Sequence, residues 1–174
     1  MKEKIKKIYN RISYAIIPFL IFVAVMGVAY YGNQILYSCG VIKGSNYPEI
    51  PLDSQIPLIP WFVYPYFLTF PLGLFTFFYL AYKDKKAFYT MYISLILSFA
   101  ISGFFYTFGQ TVFTKPDFEP KTFTDKFVVW TWGATNPVNC FPSQHCFMAF
   151  VMIIAGVSAK EEKMNIFFQI FTII

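Results

Sequence analysis

The sequence predicts an all-α, polytopic transmembrane helix bundle, and three observations predict it. Apolar residues make up 57 % of the 174 residues and aromatic ones 22 %, while only 13 % are charged, against about a quarter in soluble domains. The charges gather in short clusters. Between the clusters lie uncharged stretches long enough to cross a hydrocarbon core of roughly 30 Å as helices, which satisfy every backbone polar group internally. The length matches one domain, 1–174.

Residues Met1 to Arg11 carry Lys2, Lys4, Lys6, Lys7 and Arg11 against the single acid Glu3, and the nineteen residues Ser13 to Tyr31 are uncharged, giving span one. This run exceeds the ~7–15-residue core of a secretory signal, so it reads as a retained span. Gly32 to Gln55 is rich in turn formers ("KGSNYPEIPLDS") and reads as a loop. Span two lies within Ser54–Tyr82, with Trp61, Tyr64 and Tyr66 as interfacial aromatics and with Pro65 and Pro71 as expected kinks. "KDKK" (Lys83 to Lys86) allows only a tight connection before span three, Ala87 to Phe108. Gly109 to Phe141 mixes charges, turn formers, Trp130 and Trp132, and has room for a short interfacial helix. Span four runs from Ser143 to about Ala159 and is followed by "KEEK", Lys160 to Lys163. Met164 to Ile174 reopens an apolar stretch of about 16 Å as a helix, half a crossing. The expectation is four full spans plus a partial fifth, in a domain incomplete at its C-terminal side.

Placing the N-terminus, "KDKK" and "KEEK" on one side collects ten of the fourteen basic residues there and leaves Lys43, Lys115, Lys121 and Lys126 opposite. Positive-inside then puts the N-terminus in the cytoplasm and the 109–141 segment on the outer or lumenal side. The net charge of +5 belongs to this membrane asymmetry, so no nucleic-acid partner is expected, and the basic clusters would meet anionic membrane lipids. Asp117, Glu119 and Asp125 alternate with lysines and read as a solvated loop. Cys39, Cys140 and Cys146 lack zinc-ribbon spacing. Adjacent His145 and Cys146 would diverge on a helix, so a shared zinc ion is disfavoured, and a Cys39–Cys140 disulfide is the better alternative if the outer space is oxidising.

The only histidine, His145, lies in "NCFPSQHCFMAF", Asn139 to Phe150. Pro142 and Ser143 are helix-start residues, which puts His145 in the first turn of span four. Backbone N–H groups there bind phosphate, and the helix dipole disfavours an imidazolium until an anion arrives. Ser143 and the N–H groups could hold phosphate while His145 passes a proton to a leaving alkoxide. The same residues also suit a plain helix cap with an interfacial histidine, and the residues alone leave both readings open.

"CFPSQH" resembles the central Pro-Ser-x-His motif of the type 2 phosphatidic acid phosphatase superfamily, and "NCFPSQH" is similar to its inositol phosphorylceramide synthase-like branch. The resemblance covers about residues 110 to 150. It implies a six-helix membrane fold with an outward-facing site of three motifs that uses a histidine nucleophile and no metal or organic cofactor. By the resemblance His145 is the general acid and Ser143 a phosphate ligand. "TKP", Thr114 to Pro116, stands where the family has Arg-Pro, which makes Lys115 the phosphate contact, with Gln110 a weaker candidate; Phe108 replaces the upstream lysine. The third motif, which carries the nucleophilic histidine, has no counterpart, since the chain has one histidine and no arginine after Arg11. The expected function is that of an integral membrane phosphatase or phosphotransferase acting on lipid phosphates. The alternatives are a catalytically inactive truncated relative and a small transporter with a histidine at its mouth.

Overall fold

Long uncharged runs leave the backbone no partner but itself, and the protein is accordingly mostly helical. The computed structural model describes residues 2–46, 50–52 and 55–158. Seven α-helices are assigned among them: α1 (Lys2–Ile12), α2 (Ile16–Met26), α3 (Asn33–Ser38), α4 (Val63–Lys83), α5 (Lys85–Phe108), α6 (Phe123–Gly133) and α7 (Gln144–Ser158). Among the described residues, three helical runs are long and apolar enough to cross a membrane: Ile5–Ser38, Pro60–Lys83 and Lys85–Phe108, of 34, 24 and 24 residues. Helix α7 is apolar over its 15 described residues, about 22 Å of helix. "KEEK" and the expected partial fifth span lie outside the described residues.

The first run is longer than the span expected from the sequence, and two local irregularities let it continue. A 3-10 turn at Ser13–Ala15 lies in the turn before Pro18, where a proline ring crowds the carbonyl four residues earlier. A π-helical turn occupies Gly27–Gly32. The polar residues Asn33 and Gln34 do not end the helix, because their side chains are buried and bonded. Asn33 Nδ2 donates to the Ala29 carbonyl at 2.8 Å, and Asn33 Oδ1 accepts from Thr107 at 3.0 Å. The end comes at Gly40, at φ 71°. Its N–H donates to Tyr37 O, and that of Val41 donates to Leu36 O, the paired bonds of a Schellman stop that glycine alone accommodates without strain. The expected loop therefore starts at Cys39 and not at Gly32.

The chain divides into two units. One comprises Met1–Met26, Thr69–Ala100 and Gln144–Ile174. Its described core includes Phe22, Phe77, Leu80, Phe88, Leu95, Phe99 and Met152, knit by edge-to-face rings such as Phe77–Phe88 at 4.9 Å and Phe22–Phe99 at 5.5 Å. Helix α7 comes close to α4 at Gly73, where a Cβ would lie 3.1 Å from Met152 Sδ. The α4–α5 turn is Asp84 alone. Its carboxylate accepts from the N–H groups of Lys86 and Ala87, both at 3.0 Å, and so caps α5. Isoleucines and leucines such as Ile17, Leu20, Ile93 and Leu97 stay exposed, an apolar surface compatible with a membrane protein.

The other unit comprises Gly27–Leu68 and Ile101–Ser143. Here α6 lies on the start of α4, through Phe67–Phe127 at 4.8 Å and a Tyr64–Thr124 hydrogen bond of 3.0 Å. A capping box at Thr122 and Asp125 starts α6. The loops meet in a two-residue parallel pairing, β1 (Ser45–Asn46) with β2 (Thr111–Val112).

Candidate functional site

The residues that lead into α7 are tied down one after another, all within the second unit. Phe113 N–H donates to the Pro137 carbonyl at 2.9 Å. Asn139 takes a left-handed conformation, φ 62°, which asparagine tolerates better than most residues. Gln110 holds it there: Asn139 N–H donates to Gln110 Oε1 at 2.8 Å, and Gln110 Nε2 donates to Asn139 Oδ1 at 2.7 Å. Asn139 Nδ2 also donates to the Tyr30 carbonyl at 3.0 Å. Phe141 N–H donates to Thr111 Oγ1 at 3.1 Å, and the fully buried Tyr106 hydroxyl donates to the Pro142 carbonyl at 2.5 Å. The Phe141–Pro142 peptide bond is cis.

Ser143 follows this anchored segment and stands immediately before the first residue of α7. Gln144, buried at the helix start, donates through Nε2 to the Ser98 carbonyl at 3.0 Å and so ties α7 to α5 within the first unit. His145 occupies the first turn, half-buried, with its ring edge-on to Phe70 at 5.5 Å and 86°. Aromatic contact of this kind orients an imidazole's plane.

Lys115 lies in the second unit, half-buried, with its ammonium donating to the carbonyls of Trp132 and Thr135, the latter at 3.4 Å. Both carbonyls are at the C-terminal end of α6, where a cation offsets the helix dipole. The same lysine lines a cavity of about 550 Å³, walled mainly by apolar and aromatic residues including Val63, Tyr66, Phe113 and Trp132. Cys140 also lines it, and burial pushes its thiol above the ordinary value. Ser143 is not among the lining residues.

Gln110, a weaker candidate for phosphate contact, has both ends of its amide engaged with Asn139. It positions the loop. Tyr106 does the same for Pro142, and neither anchor was recognisable from spacing: Tyr106 reads as one aromatic in an apolar span. No group of three or more His, Cys, Asp or Glu side chains among the described residues is gathered to hold a metal ion. The three cysteines are free thiols.

Comparison of the chain with known protein families, with curated proteins and with solved structures finds no match.

Proposed function

We propose that this membrane protein handles lipid phosphates, with the start of α7 as the phosphate-binding and proton-donating half of a phosphotransfer site. The observation that carries the reading is the position of Ser143 directly before α7, with His145 in its first turn. Exposed N–H groups at a helix start and a serine hydroxyl suit phosphate oxygens. A bound dianion favours the imidazolium, which can then protonate the leaving alkoxide. The anchoring of Asn139, Phe141 and Pro142 supports this role, because a phosphate site needs donors held in one geometry before the ligand arrives.

Lys115, in "TKP", is the second residue assigned to the phosphate. Its ammonium also donates to the carbonyls of Trp132 and Thr135 at the end of α6. The positive-inside asymmetry of the sequence supports an outer or lumenal location: ten of the fourteen basic residues lie in the N-terminal, "KDKK" and "KEEK" clusters, and Lys43, Lys115, Lys121 and Lys126 lie in the alternate connections. A phosphohistidine route needs a second histidine and these 174 residues contain one. The reading therefore gives His145 the acid's role and leaves the nucleophile to a residue outside them.

The test is phosphate release from phosphatidate and from isoprenoid diphosphate in vesicles carrying the protein expressed from its complete coding sequence. His145→Ala should lower turnover by about 10²-fold or more, the usual contribution of a general acid. Turnover unchanged by that substitution would remove the acid role. Phosphatidate binding without any release would favour the inactive relative.

A further inference from the structure

From Thr69 onward α4 belongs to the first unit, as does all of α7, and the two helices meet there. Steps of three and four residues put His145, Met148 and Met152 on one face of α7, and a step of three puts Phe70 and Gly73 on one face of α4. The contacts follow that spacing. Phe70 meets the His145 ring edge-on, with centroids 5.5 Å apart and planes at 86°. One turn further along both helices, a Cβ at Gly73 would lie 3.1 Å from Met152 Sδ and 3.8 Å from Met148 Cε. The two helices therefore run parallel, with the phenylalanine and the histidine together at the start of α7.

A small residue is what lets the backbones approach at the second contact. The 3.1 Å separation is closer than ordinary van der Waals contact, so a large side chain at position 73 has to push α7 away. Met148 lies about 5 Å along the helix from His145, and over one turn a helix moves as a rigid body. Widening the gap at Gly73 therefore carries the imidazole away from Phe70. The backbone beside the histidine is held from another direction, by the bond from Gln144 to the Ser98 carbonyl. Phe70 is 46 % exposed, so its ring adds little to the core, and its aromatic contact falls on the one imidazole of the chain.

We infer that Phe70 and Gly73 are positioning residues for His145: Gly73 sets the distance between α4 and α7, and Phe70 sets the plane in which the imidazole presents its proton. The inference rests on the acid role proposed above for His145. A general acid works when its N–H lies within hydrogen-bond reach of the leaving oxygen and is aligned with it. A planar ring meets that condition in a narrow range of side-chain rotation, and an edge-to-face partner selects one orientation within it.

The experiment compares two leaving groups in the protein expressed from its complete coding sequence. Phosphatidate loses an alkoxide, which must take a proton as the P–O bond breaks; p-nitrophenyl phosphate loses a phenolate that needs none. The ratio of the two rates follows proton donation, whereas a general loss of folded protein lowers both rates alike. His145→Ala should lower the ratio. Phe70→Leu should lower it about 2- to 10-fold, an aromatic pair expressed as a rate, and Phe70→Tyr, which keeps the ring, should keep the ratio. Gly73→Leu should lower it as Phe70→Leu does. In the nuclear Overhauser spectrum the ring protons of the single histidine should contact those of Phe70, and Gly73→Leu should remove that contact. A ratio lowered by His145→Ala and unchanged by Phe70→Leu overturns this inference and leaves the acid role standing. A ratio unchanged by His145→Ala overturns the acid role and this inference with it. A ring contact that survives Gly73→Leu overturns the part given to Gly73.

Discussion

Gln110 and Asn139 hold each other through two hydrogen bonds, of 2.7 and 2.8 Å, between residues 29 positions apart. One bond is side chain to side chain and the other side chain to backbone, so Asn139 is fixed in both its side chain and its left-handed φ. Gln110→Leu leaves the Asn139 N–H and Oδ1 buried without partners, and should cost about 1–3 kcal/mol. Asn139→Gly keeps the backbone conformation and loses the side-chain bonds. A double-mutant cycle in detergent unfolding should give a coupling above about 0.5 kcal/mol, and a coupling near zero would mean that the pair does not form.

Tyr106→Phe tests the next anchor. The phenol is fully buried and the Pro142 carbonyl accepts its proton at 2.5 Å. Loss of the hydroxyl should destabilise the protein by about 1–3 kcal/mol and speed hydrogen exchange at the amides that open α7. Unchanged protection of Gln144 to Cys146 would show that α7 starts without this anchor.

The capping box of α6 makes a pH prediction. Hydrogen bonds from the Thr122 N–H, followed by those from the Thr122 hydroxyl and the Lys121 N–H, lower the Asp125 carboxyl below its ordinary value. A carboxylate depressed in the folded state contributes stability above its unfolded value, and that stability is lost as pH falls through the folded one. Exchange protection of α6 should therefore weaken only in acid. Thr122→Ala should cost about 0.5–2 kcal/mol at neutral pH, and Asp125→Asn should flatten the acid dependence; a profile unchanged by Asp125→Asn would refute the assignment.

Cys140 is half-buried against the cavity with its thiol raised by burial, whereas Cys39 is exposed. Maleimide near neutral pH should label Cys39 before Cys140. The Cys140 rate should keep climbing with pH beyond the ordinary thiol range near 8.5. Equal rates at both cysteines would contradict the cavity wall described for Cys140.

Lys115→Met keeps the aliphatic stem and removes the charge at the end of α6. The loss of that dipole partner should cost about 0.3–1 kcal/mol and lower phosphatidate affinity in the same protein. Affinity unchanged with α6 destabilised would leave Lys115 as a helix cap alone.

The sequence by itself determined the helical character and the long apolar runs, because uncharged stretches of this length leave the backbone little solution but helices in an apolar surrounding. It also determined the tight α4–α5 turn, since four charged residues between apolar runs permit little else, and the start of α7, since Pro142 and Ser143 carry their own local preferences. Tertiary structure decided where the first helix stops. Asn33 and Gln34 look like loop residues until Thr107 and the Asn136 N–H bond to their side-chain oxygens, and no local pattern encodes partners 74 and 102 positions away. It likewise turned Gln110 from a candidate ligand into an anchor and gave Lys115 two carbonyls at the end of α6. Local preferences are written in neighbouring residues, but the partner of a buried polar group is set only when distant segments pack together.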